Sequence, residues 1–535
     1  MTRAHGSSPR QESRSRWRRV SAAGLAVVAA AATLTVVPAD GQEPRPNVGV
    51  DRNPISRSSI DWHPCGPEVE CARVTVPLDW DRPQGRSIRL KVAKHAARNP
   101  GARIGSLFIG PGGPGESGVN LIKGGGGDLD AWGDGRFDVI SWDYRGTNAS
   151  APVRCFRTPR SQSRFWRGER IPITPRASRE FRATTAALAR RCGNVSGWLL
   201  PHISTADNAR DLNYLRRLSG DRRLTYVGLS YGTYLGQTYA NLFPRKVRAM
   251  VLDGVVDPVA YSKNAESRIA NGVSPSDEVF EQFLAHCRTA GPQRCALAGR
   301  RRSPEELMTR FFHRVRHKPV PAPMSDPPGR LSYLDLLVSQ FEPMRSPQAW
   351  PQDAQSLNAA RTGDGTDLEN AARPFQTPTG WAGITTSAAI QCADSPARRD
   401  SHAWPAVIGR FNRVSRMQGR VQGWWLWAPC ASWPVRGQDT YRGPWNASTR
   451  HPILLIGTRH DPNTGYANAV RSQRLLGNAV LLTHNGYGHM SFQDPSACVD
   501  RARVAYLVHL VAPKPGSVCR PDEPPFGAGG SQGSG

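Results

Sequence analysis

The 535-residue chain is poor in lysine, contains no C-x-x-C pair and, beyond its first 39 residues, has no apolar run long enough to cross a membrane. The missing C-x-x-C spacing argues against a zinc site. Charge of one sign dominates, with a formal net charge of +27 at pH 7. The charges are scattered, however, and no nucleic-acid-binding motif accompanies them, so we expect no nucleic-acid partner.

The N-terminus has the pattern of an export signal. Several arginines precede a short, alanine-rich apolar segment, and Val37-Pro38-Ala39 offers a cleavage site. We therefore predict a signal peptide over residues 1–39, with an uncleaved membrane anchor as the alternative, followed by a Pro/Arg-rich lead over 40–60. The expected protein is secreted or associated with the cell envelope. It would have no stable membrane insertion after cleavage, and loose contact with an anionic envelope is left open.

Cysteine usage agrees with export, because the count of ten is even and secreted proteins keep disulfides. Neighbouring cysteines along the chain flank single predicted elements, although sequence alone cannot fix connectivity. We predict five structural disulfides between successive cysteines: Cys65–Cys71, Cys155–Cys192, Cys287–Cys295, Cys392–Cys430 and Cys498–Cys519.

The order of predicted elements divides the rest of the chain into four parts. Residues 61–258 open with a strand hairpin and then alternate buried strands with amphipathic helices, which predicts a mostly parallel sheet covered on both faces. Residues 259–440 are mainly helical and indicate a lid inserted into this domain. The alternation resumes over 441–520. The Pro/Gly/Ser-rich end, 521–535, is expected to be disordered.

The sequence places one serine on a sharp turn between a strand and a helix. Residues 225–236 read TYVGLSYGTYLG. A short apolar run precedes Ser230, and apolar residues at helical spacing follow it as far as Pro244. This context is typical of the G-x-S-x-G nucleophile elbow. A second match to the pattern, at 529–533, lies in low-complexity sequence without a strand or a helix beside it.

A nucleophilic serine needs a base, and the base needs an acid that orients it. In a fold with such an elbow the chain order is serine, acid, histidine. Asp461 directly follows the strand PILLIGTRH, and His489 lies on the glycine-rich loop after the last strand. We predict these two as acid and base, with Asp253 and Asp257 as alternative acids and His484 as the alternative base.

Acyl transfer by a serine also requires two N–H donors for the oxyanion. One is expected from the backbone of Tyr231, directly after the serine. The other is expected from Gly112 or Gly113, in the loop GPGGPG that follows the strand SLFIG. A phosphate-binding loop is the competing interpretation. The two prolines and the absence of a following Lys-Ser/Thr pair argue against it.

Together these motifs resemble the secreted bacterial α/β-hydrolases of the tripeptidyl-aminopeptidase type, relatives of proline iminopeptidase. The resemblance implies an α/β-hydrolase fold with a mostly parallel central sheet and a helical lid insertion. It also implies Ser230, Asp461 and His489 as the triad, and Gly112, Gly113 and Tyr231 as the oxyanion hole. The matching segments span residues 62–519 and are FIGPGGPGESG, FDVISWDYRGTNAS, VGLSYGTYLGQTYANLFPRKVRAMVLDGVVDP, AIQCADSP, CASWP, PILLIGTRHDPNTGYANA, GYGHMSF, CVDRARVAYLV and GSVC.

The chain departs from the family pattern at two places near the predicted site. Gly110 stands where the family usually has asparagine, and Tyr144 and Asn148 interrupt the usual Asp-Pro-Arg-Gly-Thr-Gly segment. These changes leave the predicted triad intact. They leave the substrate preference open.

An enzyme that acts at a free N-terminus must also bind the substrate's ammonium group, for which a buried carboxylate is suited. The lid segment supplies four candidates: Glu266, Asp277, Glu278 and Asp394. A tryptophan-rich stretch in the same segment is expected either to wall a substrate pocket or to pack the lid against the sheet. It comprises Trp424, Trp425, Trp427 and Trp433.

The sequence therefore predicts a secreted serine hydrolase, with no metal or organic cofactor, that releases short peptides from free N-termini through an acyl-enzyme. The alternative is a carboxylic-ester hydrolase, an esterase or lipase, that uses the same triad. A catalytically inactive envelope-binding protein is disfavoured by the complete triad. The serine at position 230 excludes the aspartate nucleophile of epoxide hydrolases and dehalogenases.

Overall fold

The structure is a computed structural model that describes residues 59–299 and 301–527. The predicted signal peptide, most of the predicted lead and residues 528–535 lie outside the described residues.

Ten strands of the described chain form one sheet in the order β1-β2-β3-β5-β4-β6-β7-β10-β11-β12. The first four in this order pair antiparallel and the rest pair parallel, as predicted for an α/β core with an edge hairpin. Strands β8 and β9 form a separate antiparallel ribbon. The strands are β1 (His63–Gly66), β2 (Val69–Pro77), β3 (Ser87–His95), β4 (Gly105–Gly110), β5 (Phe137–Trp142), β6 (Leu224–Leu229), β7 (Val247–Asp253), β8 (Val320–Ala322), β9 (Gly329–Leu331), β10 (Ile453–His460), β11 (Ala479–Tyr487) and β12 (Val518–Cys519).

Helices connect the strands and cover the sheet. They are α1 (Gly118–Asp130), α2 (Pro159–Trp166), α3 (Pro175–Ser196), α4 (Thr205–Leu218), α5 (Tyr231–Leu242), α6 (Pro258–Lys263), α7 (Ala265–Val273), α8 (Ser276–Ala290), α9 (Pro304–His317), α10 (Tyr333–Ser339), α11 (Trp350–Thr362), α12 (Thr366–Ala372), α13 (Pro378–Asp394), α14 (Trp404–Val414), α15 (Gly419–Gln422), α16 (Ala428–Ser432), α17 (Tyr466–Leu475) and α18 (Ala497–His509).

Two apolar cores lie on opposite faces of the sheet, because successive strand side chains point to opposite sides. Along β4, Leu107 and Ile109 join the core beneath α1 and α18, whereas Phe108 joins the core beneath α4 and α5. Strands β4 and β6 are buried along their whole length, which explains why they read as unbroken apolar runs. Helix α4 is capped by Ser204 in a capping box with Asp207.

The chain between β7 and β10 is helical, from α6 to α16, apart from the β8–β9 ribbon. This stretch contains the segment 259–440 that the sequence assigned to a lid. The four tryptophans of the tryptophan-rich stretch, Trp424, Trp425, Trp427 and Trp433, are buried. Trp425 stacks on Phe375, Trp427 meets Trp404 edge-on, and Trp424 contacts Phe181. In the structure their role is therefore packing.

All five predicted disulfides are confirmed, and no cysteine is free. The Cys392–Cys430 bridge joins α13 to α16 within the helical segment. The Cys498–Cys519 bridge ties α18 to β12 at the sheet edge.

Residues 521–527 differ from the disordered end that the sequence predicts. Phe526 is buried, with 3% of its surface exposed, and packs against Phe283 of α8 and Trp350 of α11. A single aromatic side chain thus anchors a segment whose proline and glycine content suggested disorder. Within residues 59–299 and 301–527, no helix has the length and apolar character needed to span a membrane.

Candidate active site

Ser230 occupies the turn between β6 and α5 with backbone angles of φ 54° and ψ −117°. This conformation is strained for any residue other than glycine, and such strain persists only where the surroundings enforce it. The Ser230 N–H donates to the carbonyl of Asp253 at 3.0 Å, which fixes the turn to β7. The residue as a whole is partly exposed.

The two glycines around the serine are required by close backbone approaches. A Cβ on Gly228 would lie well inside 3.0 Å of the Gly232 carbonyl, closer than real Cβ atoms approach. A Cβ on Gly232 would lie equally close to the carbonyl of Gly110. The glycines therefore let the turn close on itself and let the loop after β4 pack against the start of α5.

The predicted base and acid lie in hydrogen-bond contact with this serine. The Ser230 hydroxyl lies 2.8 Å from Nε2 of His489, and Nδ1 of His489 lies 3.0 Å from both carboxylate oxygens of Asp461. His489 and Asp461 are both buried. The arrangement can move a proton from the serine to the imidazole while the carboxylate holds the ring in place.

Asp461 is held ionised by the loop that follows β10. The N–H groups of Asn463 and Thr464 each donate to its Oδ1 at 2.8 Å, and the Thr464 hydroxyl donates to its Oδ2 at 2.7 Å. Burial alone would raise the pKa of the Asp461 carboxyl, but the neighbouring His489 and these donors outweigh burial and lower the pKa. The carboxylate is thus charged when His489 accepts a proton.

The alternative acids have other partners. Asp253 is buried and accepts hydrogen bonds from the N–H of Ser491 at 2.9 Å and the Ser491 hydroxyl at 2.5 Å, with Arg503 at 3.4 Å. Asp257 caps the N-terminus of α6 and pairs with Arg471 at 3.3 Å. Of the three carboxylates, Asp461 is the one in hydrogen-bond contact with the imidazole, so the geometry favours it as the acid.

The alternative base, His484, is fully buried within β11. Burial lowers its pKa to about 4, so the ring is neutral at physiological pH. Its Nδ1 lies 3.4 Å from the Thr458 hydroxyl on the neighbouring strand. This histidine packs within the sheet and is not part of the hydrogen-bonded series from Ser230 through His489 to Asp461.

Arg345, which the sequence did not indicate as functional, positions the loop that carries His489. The N–H of His489 donates to the carbonyl of Arg345 at 2.8 Å, and a Cβ on Gly488 would clash with the same carbonyl. Arg345 lies in the helical segment between β7 and β10. No local signal marks it, because its role depends on a backbone carbonyl that any residue would supply.

The loop after β4 lies beside the serine but holds one unexpected contact. The N–H of Gly112 donates to a carboxylate oxygen of Glu116 at 3.2 Å. Gly113, the next residue, is exposed, and Tyr231 begins α5, so its N–H has no partner within the helix. Of the three predicted oxyanion donors, Gly112 therefore already has an acceptor from the chain itself.

The two residues that interrupt the Asp-Pro-Arg-Gly-Thr-Gly segment, Tyr144 and Asn148, both contact this loop. The Tyr144 hydroxyl donates to the carbonyl of Pro111 at 2.8 Å, and its ring meets Tyr231 edge-on at 5.5 Å between centroids. The Asn148 side chain donates to the carbonyl of Gly115 at 2.9 Å. These two hydrogen bonds stabilise the backbone conformation of the loop.

The four carboxylates predicted to bind the substrate ammonium all accept hydrogen bonds from the chain. Asp277 accepts from the Ser415 hydroxyl at 2.6 Å and from the Arg416 and Met417 N–H groups. Glu278 lies 2.8 Å from Nδ1 of His460. Glu266 accepts at 3.0 Å from the Arg398 N–H and from the indole of Trp427. These contacts fasten helices and loops together and do not favour the predicted role.

Asp394, the fourth candidate, ends α13 and is buried. It accepts from the N–H of Thr205 at 2.8 Å and from the Thr205 hydroxyl at 2.6 Å, and that hydroxyl also lies 2.6 Å from the hydroxyl of Tyr231. Burial raises the pKa of Asp394 to about 7. The carboxyl joins the helical segment to α4 and, through Thr205, to the elbow.

The sequence is similar to a known protein family and to several named proteins. A family model described as TAP-like protein matches residues 416–519. The chain is 30% identical over 489 residues to the serine protease Hip1 of Mycobacterium tuberculosis. This alignment covers 86% of this chain and 91% of that protein. It is 28% identical over 483 residues to the tripeptidyl aminopeptidase of Streptomyces lividans, which covers 85% of each chain.

A third relative carries a different name. The carboxylesterase B of Mycobacterium tuberculosis is 30% identical over 511 residues, or 91% of this chain and 95% of that protein. All three similarities extend over both parts of the sheet and the helical segment between them. By these matches, and by the serine elbow on a mostly parallel sheet, the chain belongs to the tripeptidyl-aminopeptidase-like family of α/β-hydrolases.

Proposed function

We propose that this protein is a serine aminopeptidase that releases short peptides, of the tripeptidyl type, from free N-termini. The observation that carries the proposal is the continuous contact from the Ser230 hydroxyl to His489 at 2.8 Å and from His489 to Asp461 at 3.0 Å. Ser230 is the nucleophile, His489 the general base and Asp461 the group that orients the imidazole.

Catalysis begins when the Ser230 oxygen attacks the scissile carbonyl carbon and its proton passes to Nε2 of His489. The carbonyl oxygen becomes an oxyanion, for which the backbone N–H groups of Tyr231 and Gly113 are the donors on either side. Gly112 can add a third donor only if the Glu116 carboxylate leaves its N–H.

The intermediate collapses when His489 returns the proton to the leaving nitrogen, and the rest of the peptide departs as an amine. The N-terminal fragment stays bound to Ser230 as an ester. A water then gives a proton to His489 and attacks this ester. As the ester bond breaks, His489 passes that proton to the Ser230 oxygen, and the fragment leaves with a new carboxyl group. The ionised Asp461 stabilises the imidazolium in both halves of the reaction. Each step uses only side-chain and backbone groups of the chain, so we propose no metal or organic cofactor.

The helical segment over residues 259–440 is proposed to act as a lid. Its Arg345 carbonyl accepts the His489 N–H, so the segment reaches the triad directly. A lid at this position limits how many residues of a bound peptide can extend beyond Ser230. Such a limit is what separates release of short fragments from cleavage within a protein.

The location is proposed from the disulfides. Five bridges fit a protein that folds in an oxidising compartment outside the cytoplasm. We propose that the protein is secreted or associated with the cell envelope. Without the six arginines and one glutamate of the predicted signal peptide, the chain still has a net charge of +22 at pH 7, which suits loose contact with anionic envelope polymers.

An esterase is the second candidate, favoured by the similarity to a protein named carboxylesterase B. The same triad opens esters, and an ester substrate needs no ammonium site. Two relatives named as peptidases support the aminopeptidase instead.

The test compares short peptides with free N-termini, the same peptides acetylated at the N-terminus, and simple acyl esters. We expect the free peptides to be cleaved and the acetylated ones to react at least a hundredfold more slowly, because acetylation removes the charge that the site recognises. Equal kcat/KM on both peptides would refute the aminopeptidase. Turnover of esters alone would establish the esterase.

A further inference from the structure

An exposed carboxylate stands on the loop that is proposed to hold the oxyanion. Glu116 is exposed, and its Oε2 accepts the N–H of Gly112 at 3.2 Å. Within residues 59–299 and 301–527 this hydrogen bond is the one contact of the Glu116 side chain, and no lysine or arginine there pairs with it. One oxygen of the carboxylate therefore has no donor from this part of the chain.

The Gly112 N–H lies beside the nucleophile elbow. A Cβ on Gly232, in the first turn of α5, would lie 3.1 Å from the carbonyl oxygen of Pro111, which belongs to the same peptide group as this N–H. The Tyr144 hydroxyl donates to that oxygen at 2.8 Å. Since the C=O and the N–H of a planar trans peptide point in opposite directions, the N–H turns away from Tyr144 and toward Glu116.

The backbone on both sides of Glu116 is held in place, whereas one hydrogen bond holds its carboxylate. The Asn148 side chain donates to the carbonyl of Gly115 at 2.9 Å, and Ser117 caps the N-terminus of α1. With its Cα fixed, the carboxylate can still move within roughly 5 Å of that atom by rotation about the side-chain bonds. It can thus leave the Gly112 N–H without a change in the loop.

Negative charge around Glu116 favours a cationic ligand. Burial alone would lower the pKa of Arg345, but the carboxylates of Glu342, Glu116 and Asp461 outweigh burial and raise the pKa. Glu116 and the triad acid therefore both lie near this guanidinium, which is itself paired with Glu342 at 3.3 Å. Three carboxylates around one cation attract a positively charged group more strongly than a neutral one.

The Glu116 carboxylate competes with the oxyanion for the Gly112 N–H. An N–H that already donates to a carboxylate cannot stabilise the charge that develops on the substrate oxygen, and the two negative groups repel each other. A neutral substrate therefore reacts with only the other oxyanion donors. A cationic substrate can draw the carboxylate away, which frees the third donor and removes the repulsion.

The ammonium of a short N-terminal fragment is a cation with the required reach. The carboxylate stays within roughly 5 Å of the Glu116 Cα, and an ammonium bound to it lies about 3 Å farther out. A fragment of three extended residues spans about 10 Å from its ammonium to the scissile carbonyl. The two spans overlap, so this one side chain can meet the ammonium of a fragment of up to three residues.

We propose that Glu116 binds the α-ammonium of the peptide substrate and gives up its hydrogen bond to Gly112 as it does so. Recognition of the charge thereby completes the oxyanion hole. The four carboxylates that the sequence suggested for this role are engaged by other donors, whereas Glu116 lies outside the lid segment. The inference rests on the proposed aminopeptidase function and names a residue that determines its specificity.

The kinetic test replaces Glu116 by alanine, which removes the charge and frees the Gly112 N–H. We expect the preference in kcat/KM for Ala-Ala-Ala-p-nitroanilide over its N-acetyl form to fall about tenfold, because the ammonium loses its partner. We expect kcat/KM for p-nitrophenyl acetate, which carries no cation, to rise about threefold or more, because a third donor is free. An unchanged preference, or a fall on both kinds of substrate, would overturn the inference.

Glu281→Ala is the matched control. Glu281 is an exposed glutamate of α8, so the substitution changes the net charge of the protein by the same amount. We expect the preference for the free amine and the ester turnover both to stay within about twofold of the wild-type values. Equal changes in this control and in Glu116→Ala would show a general effect of net charge and would overturn the inference.

A binding test separates this inference from the proposed function. Tri-alanine and N-acetyl-tri-alanine are titrated by calorimetry into the Ser230→Ala protein, which cannot turn them over. We expect tri-alanine to bind more tightly, and the difference to disappear when Glu116→Gln, which keeps the size of the side chain without its charge, is added. A difference that survives refutes this inference alone. A wild-type protein that shows no preference for free peptides in turnover refutes the proposed function and this inference with it.

Discussion

At the residue scale, the charge on Asp461 decides what the triad can do. The carboxylate accepts three hydrogen bonds from its own loop and holds both oxygens 3.0 Å from the imidazole. These contacts lower its pKa despite full burial. The imidazole is thereby kept in the tautomer whose Nε2 can accept the proton of Ser230.

Replacing Asp461 by asparagine should reduce kcat by about 10⁴-fold, because an amide can donate to Nδ1 and stabilise the wrong tautomer. Steady-state kinetics on a free-amine tripeptide anilide measures the loss, and circular dichroism checks the fold. Asp257→Asn is the matched control: it changes the cap of α6 and should leave kcat within about twofold. An active Asp461→Asn together with an inactive, folded Asp253→Asn would reverse the assignment.

Some single residues of the site could be predicted from the sequence, and the roles of others could not. Asp461 and His489 could be predicted because each lies just after a strand at the edge where the serine stands. The roles of the four lid carboxylates could not be predicted, because their donors come from distant parts of the chain. Asp277 is satisfied by Ser415, and Asp394 by Thr205.

At the scale of elements, the elbow and the loop after β4 act as one unit. Gly232, in the first turn of α5, lies against the carbonyl of Gly110 at the end of β4. The Tyr226 hydroxyl of β6 donates to the Gly232 carbonyl at 2.7 Å and closes the turn from below. The positions of the oxyanion donors therefore depend on how closely these two elements pack.

Gly232→Ala should push the loop away from the elbow and lower kcat at least tenfold, with a smaller effect on KM, because the donors are needed in the transition state. Kinetics and thermal denaturation measure the two effects. Gly124→Ala is the control: this exposed glycine of α1 has open space where a Cβ would stand, and the substitution should stabilise the protein by about 0.5–1 kcal/mol without changing kcat. Full activity in Gly232→Ala would contradict the coupling.

Most elements could be predicted because their periodicity is local. Buried parallel strands read as apolar runs, and the helices around the sheet carry an apolar stripe. Residues 521–527 were misread because the buried Phe526 outweighs its disorder-prone neighbours.

At the scale of the whole molecule, stability should depend on buried carboxyl groups in the helical segment. Asp353 of α11 is 4% exposed and accepts a hydrogen bond from Gln340. Burial raises its pKa to about 7, and the Gln340 bond offsets burial only in part. Its folded-state pKa lies above the unfolded value, so its contribution to stability is present below about pH 4 and is lost as the pH rises to about 7.

Asp353→Asn should therefore raise the free energy of unfolding by roughly 1–3 kcal/mol at pH 8 and have little effect at pH 4, since the amide is neutral at both. Thermal or denaturant unfolding of both proteins across this pH range gives the difference. The matched control is Asp367→Asn, whose carboxyl, near the start of α12, accepts from the Ser356 hydroxyl at 3.2 Å. A stability difference independent of pH would show that Asp353 is ionised in the folded protein.

The central claim is that Ser230, activated by His489 and Asp461, forms the acyl-enzyme. The most direct measurement is reaction of the purified protein with a fluorophosphonate, followed by peptide mapping and assay of the remaining activity on a free-amine tripeptide anilide. We predict a single phosphonyl adduct on Ser230, loss of activity in proportion to labelling, and no labelling of Ser230→Ala. Activity that survives complete labelling of Ser230, or an inactivating adduct on another residue, would contradict the account.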